Sequence, residues 1–132
     1  MKILLLFASL SLAAIIGISP VISSSSAAGK AIPKAKGGYT VAELHAKKAE
    51  LKGKKVAVRG KVVKVNAQIM GKNWLHLQDG TGKAGTNDIT ATSAGSANVG
   101  DVVLATCTLS VDKDFGAGYF YSIILEDCTL GK

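Results

Sequence analysis

The chain has 132 residues, enough for one domain and too few for two well-packed ones. Its formal net charge is +7, and aromatic residues make up only 5% of it. Two cysteines, Cys107 and Cys128, with no CxxC or CxxCH spacing, exclude a cysteine-rich scaffold, a zinc ribbon and covalent haem attachment.

The first residues have the form of a secretory signal. Lys2 supplies a positive start, and Ile3 to Ile16 is apolar apart from Ser9 and Ser11. Gly17 and Pro20 break the run, and small residues follow to Ala27 and Ala28. The apolar run falls short of the about 20 residues a spanning helix needs, so cleavage is expected, leaving no stable membrane span. Residues 1–28 are thus read as a signal peptide of bacterial proportions and 29–38 as a flexible linker. Order is expected from Tyr39, in a periplasmic or secreted protein.

Thr40 to Leu51 predicts one helix. Thr40 and Glu43 form a capping box, and Val41, Leu44, Lys48 and Leu51 share a face. Gly53 ends it. Lys55 to Asn66 predicts the first strand. Its valines sit at even positions up to Val62 and at odd positions from Val63, so a bulge or sharp coil is expected at 60–63. Asn73 to Gln78 predicts the second strand, with Leu75 and Leu77 on one face and Trp74, His76 and Gln78 on the other. A D-G-T-G turn follows from Asp79. The third strand is predicted at Asp88 to Thr92. The fourth opens at Gly100-Asp101 with an inward stripe of Val103, Ala105, Cys107, Leu109 and Val111. After a loop from Asp112 to Gly118, Tyr119 to Asp127 predicts the fifth. A hairpin centred on Phe115 sets Cys107 beside Ile123 and Cys128 near Val102. On that register the α-carbons are too far apart for a bridge, and two free thiols are expected.

Five short strands with a bent first strand and no βαβ spacing predict an all-β fold, a small closed barrel preceded by one N-terminal α-helix. The segments V-R-G-K-V-V-K-V-N, I-M-G-K-N-W-L-H-L-Q-D-G-T-G, N-D-I-T, V-G-D-V-V and D-K-D-F-G-A-G-Y resemble a family of exported bacterial OB-fold proteins. Some of these are described as nucleic-acid-binding and others as NrfJ-related, after a gene associated with periplasmic nitrite reductase. The resemblance covers about Tyr39 to Leu130 and implies a five-stranded OB-fold barrel over 39–132. The chain departs from the pattern in lacking a helix between strands three and four, and in Cys107 and Cys128.

Charge is uneven along the chain. Residues 30–64 hold eleven Lys or Arg against two acids, whereas residues 65–132 hold four Lys against seven acids. Such a polycationic third favours phosphate backbones, anionic lipids or acidic partners, and equally serves as a solubilising face. The candidate ligand-binding residues are Arg59, Lys61, Lys72, Trp74, His76, Phe115 and Tyr119. On an OB barrel, strand two and the neighbouring loops form the usual ligand surface. There Trp74 could stack on a base, or instead pack beneath the N-terminal helix. The aromatics of the last hairpin could line a ligand loop or plug the barrel end.

Asp79, Asp112 and Asp114 lack calcium-loop spacing. His45, His76, Cys107 and Cys128 lack zinc spacing, and G-T-G-K-A-G-T fails the P-loop pattern. No metal, cofactor or enzymatic activity is expected. The leading expectation is a module that binds single-stranded nucleic acid or another polyanion. The alternatives are an accessory protein docking a periplasmic cytochrome or reductase, and a small-ligand or cation-binding module using the acidic loop.

Overall fold

The computed structural model describes residues 31–132; the signal-peptide reading of residues 1–28 lies outside them. The described chain is mostly β, in the order α1 (Val41–Ala46), α2 (Lys48–Leu51), β1 (Lys55–Ile69), β2 (Lys72–Gln78), β3 (Ile89–Ser93), β4 (Val102–Asp114) and β5 (Phe120–Gly131). The five strands form one sheet that closes on itself in the order β1-β2-β3-β5-β4. Every neighbouring pair is antiparallel except β3 with β5. Closure removes free sheet edges. Among the described residues no helix is long and apolar enough to cross a membrane.

β1 makes the closure geometrically feasible. Its first half, Lys55 to Lys61, pairs with β4, and its second half, Lys61 to Ile69, pairs with β2. Val56, Val58, Gly60 and Val62 are buried. The register then slips between Val62 and Lys64, so that Val65 comes opposite Leu75. The parity change expected near 60–63 is therefore a β-bulge at Val63, and the extra residue bends the strand across both halves of the ring. Gly60 lies on the inner face, where an added Cβ would make a tight contact, 3.3 Å, with the Leu77 side chain.

The core fills this ring with Val56, Val58, Val62, Leu75, Leu77, Ile89, Ala91, Ala105, Leu109 and Leu125, with Val41, Leu44 and Leu51 packed against them. The stripe on β4 is buried at Val103, Ala105, Cys107 and Leu109 as expected, and Val111 is half-buried.

The single helix predicted over 40–51 is two short ones. Lys47 leaves helical geometry at φ −106° and ψ 15°. The break lies between two anchors. The start of α1 is bound to the turn after β2, and beyond α2 the Gly53 amide donates to Leu109 while Leu109 donates to Lys54. The capping box is present, Thr40 accepting from the Glu43 amide at 3.0 Å and Glu43 accepting from the Thr40 amide at 2.9 Å.

Residues 31–38, read as a flexible linker, lie against the barrel. Ile32 donates to the Asp79 carbonyl at 2.8 Å, Ala35 is buried, and Tyr39 bridges Val58 on the edge of β1 that precedes its pairing with β2.

The expectation of two free thiols is overturned: Cys107 and Cys128 form a disulfide, with their α-carbons 4.1 Å apart. Two features account for the error. The β4–β5 hairpin, closed by Asp114 opposite Phe120, centres on Ala117, two residues beyond Phe115, which sets Leu109 opposite Leu125 and Val111 opposite Ile123. A bulge between Thr106 and Thr108, with Asp127 at φ +52°, then turns Cys128 inward to face Cys107. A bulge reverses the facing of every residue beyond it.

Candidate functional site

β2 and the turn after it distribute the W-x-H-x-Q-D-G-T-G element among four tasks. Leu75 and Leu77 enter the core. Asp79, 1% exposed, accepts from the Val41 amide at 2.9 Å and from the Thr81 amide and hydroxyl. Thr81 in turn accepts from the Ala42 amide at 3.1 Å. The turn therefore caps α1 from outside, satisfying free amides of its first turn. Gly80, at φ +85°, sits where a Cβ would meet the Ala31 backbone at 2.8 Å.

Trp74, His76 and Gln78 occupy the outer face of β2. Trp74 is only 5% exposed, and its indole N–H donates to the Ile69 carbonyl at 2.8 Å. Phe115 meets it edge-on with ring centroids 5.1 Å apart, and Tyr121 lies tilted against it at 5.9 Å. Phe115 and Tyr121 also meet edge-on at 5.9 Å. These are the favoured aromatic geometries. Trp74 is therefore neither an open stacking platform nor a plug beneath the helix: it lies under the β4–β5 hairpin, and Phe115 is one of its covers.

Beside this trio is a cleft of about 220 Å³ lined by Asn66, Ile69, Met70, Trp74, His76, Tyr119 and Tyr121. Two hairpins frame it. The β1–β2 tip carries Ile69 and Met70, and the β4–β5 turn carries Tyr119, which is 58% exposed. Phe120 and the two apolar tip residues are also largely exposed. Both tips use left-handed non-glycine backbone, at Gln68 and Met70 in one and Ala117 in the other. Such residues are uncommon and cluster at functional loops.

The polar side of the cleft is organised by Asp88. His76 Nδ1 lies 2.9 Å from its Oδ1, and Gln78 donates to its Oδ2 at 3.1 Å. His45 Nε2 lies 2.7 Å from the Asp88 backbone carbonyl oxygen, so both histidines of the chain converge on one residue. A carboxylate at Nδ1 fixes the orientation of the ring and directs Nε2 away from it.

The cations are distributed unequally. Lys61 is paired across the sheet with Gln78, and Lys64 with His76, so both lie beside the outer face of β2. Arg59 lies farther along the same face of β1, opposite Leu104 of β4. Among the described residues none of these three has a carboxylate within ion-pair distance, the Lys–carboxylate pairs being Lys34–Glu43 and Lys113–Glu126. Lys72 lines a separate hollow with Thr92, Ser93 and Asp127.

Of the residues singled out from sequence, Trp74, His76 and Tyr119 line one cleft, Phe115 supports its floor, and Lys61 flanks it. Arg59 and Lys72 stand apart from it. Asn66, Ile69, Met70, Tyr121, Lys64 and Asp88 were missed. Tyr121 was visible as part of the aromatic run at the last hairpin, and Asp88 as part of N-D-I-T. The pairing that brings them to β2 is long-range and left no local signal. Among the described residues no group of three or more His, Cys, Asp or Glu gathers to hold a metal; the carboxylate of Asp79 is engaged by α1 instead. The chain matches no protein-family model and no curated protein.

Proposed function

We propose that this chain is an exported OB-type binding module whose ligand is single-stranded nucleic acid or a similar polyanion. The strand order β1-β2-β3-β5-β4, with the ring closed by a parallel β3–β5 pair, supports the OB assignment. Export is supported by the signal-like sequence of residues 1–28 and by the Cys107–Cys128 bridge, which persists in oxidising compartments.

The observation that carries the reading is the cleft of aromatic and apolar side chains between two hairpin tips, with Lys61 and Lys64 of β1 beside the same sheet face and Arg59 farther along it, none of the three ion-paired among the described residues. Outward residues two apart on a strand are ~6.6 Å apart, so Arg59 and Lys61 offer charge at a repeat comparable with successive phosphates of an extended strand. Lys64 continues the line after the bulge. The cleft adds aromatic surface that a base can contact regardless of sequence, a combination characteristic of single-strand binding.

Each neutralised phosphate contributes about −0.7 to the log–log salt slope for single strands. Three contacts give a slope of roughly −2, and the K61A/K64A double variant lowers its magnitude by ~1.4. Fluorescence anisotropy with a labelled oligonucleotide across a salt series measures both. Absence of binding at low salt, or affinity that does not change with salt, overturns the reading.

A further inference from the structure

His76 is built to read a ligand edge rather than to attract charge. Its Nδ1 faces the Asp88 carboxylate at 2.9 Å. A neutral imidazole must place its proton on that nitrogen, because a carboxylate only accepts. Nε2 is then a bare lone pair. Among the described residues it has no hydrogen-bond partner, and His76 lines the cleft. Gln78 holds the second carboxylate oxygen of Asp88, and His45 contacts its backbone, so the acceptor is presented by a braced support.

Asn66 is the second polar reader. It pairs across the sheet with Trp74, while Lys64, two residues earlier, pairs with His76, which puts Asn66 and His76 diagonally on the same face of the β1–β2 pair. The amide of Asn66 offers donors and an acceptor, and it too has no hydrogen-bond partner among the described residues. The remaining lining is aromatic or apolar: Trp74, Tyr119, Tyr121, Ile69 and Met70. A space of about 220 Å³ has room for a heteroaromatic ring.

An acceptor diagonal to an amide, in a cleft otherwise lined by aromatic and apolar side chains, complements a ring that carries an exocyclic amino group next to a bare ring nitrogen. We propose that the cleft takes one amino-bearing base, cytosine or adenine, from a single strand. Its amino group donates to His76 Nε2 and its ring nitrogen accepts from the Asn66 amide. Uracil and thymine present a carbonyl and an N–H at those two positions. Asn66 can turn its amide to accept from the N–H, but the carbonyl faces the Nε2 lone pair, so His76 carries the discrimination. The inference rests on the proposed nucleic-acid reading and adds the identity of the base.

Oligo-dC and oligo-dU of equal length test it, because their bases have the same ring size and differ in that edge. Anisotropy titrations at fixed salt and mildly alkaline pH should give about tenfold tighter binding of oligo-dC, the discrimination of one well-placed bidentate contact. In H76F, which keeps a ring and loses the acceptor, the ratio should fall towards one. D88N, which no longer fixes the proton on His76 Nδ1, should lower it as well, so that a folding defect in one variant does not decide the question. Equal wild-type affinity for the two oligonucleotides overturns the base assignment and leaves the binding module standing. A preference that survives both substitutions also overturns it. Failure of both oligonucleotides to bind at low salt overturns the underlying reading, and the base assignment with it.

Discussion

Reducing the Cys107–Cys128 bridge should cost this domain a large share of its stability. The two residues are 21 apart in sequence. Cross-linking a loop of that size removes ~11 cal/mol/K of denatured-state entropy, or ~3 kcal/mol at 25 °C. A domain of this size shifts its Tm by about 4–8 °C per kcal/mol, so melting in reductant should occur ~12–25 °C lower. Comparing oxidised with reduced wild-type protein is cleaner than a cysteine variant. Cys107 is 1% exposed among core side chains, and replacing it would add a cavity cost to the loop entropy. Circular dichroism at matched protein concentration measures the shift. Thiol titration of unfolded, unreduced protein provides the covalent check. Two titratable thiols, or a Tm that moves by less than ~3 °C on reduction, would refute the reasoning.

Two further outcomes follow from the turn and the helix it caps. D79A leaves the Val41 and Thr81 amides without their acceptor in a buried place, and should destabilise the domain by ~2–4 kcal/mol in urea unfolding. D79N retains one acceptor oxygen and should lose less. The hydrogen bond from the Thr40 amide, helped by Lys34, holds the Glu43 carboxyl below the usual glutamate range. Its contribution is therefore full above that range and lost as pH falls through the lowered value. The urea midpoint of wild type should exceed that of E43Q at neutral pH, and the gap should close in acid; a gap independent of pH down to acid unfolding contradicts the assignment.

Much of the architecture is legible locally. The alternation of apolar residues marks the inner faces of β1, β2 and β4. The change from Val62 to Val65 reveals the bulge, and Thr40 with Glu43 marks the start of α1. The candidate site is legible only as fragments. Trp74 and His76 share a face because strand alternation requires it, and Tyr119 and Phe115 stand out as aromatics in a short loop. Nothing local shows that Phe115 and Tyr121 cover Trp74, that Asp88 is the partner of His76, or that Lys72 belongs to a different hollow. All of these depend on which strands pair and in what register.

The sequence by itself determined which side of each strand is apolar, because side-chain direction in extended backbone has a period of two and needs no partner. Only the tertiary structure decided the register of β4 against β5. There a turn displaced by two residues and one bulge at Asp127 convert two expected thiols into a disulfide. The same structure decided that the hairpins close over β2, turning the outer face of Trp74 into a buried floor and leaving Tyr119, Ile69 and Met70 as the exposed rim of the cleft. Register and coverage are properties of distant segments meeting, and no alternation within one segment encodes them.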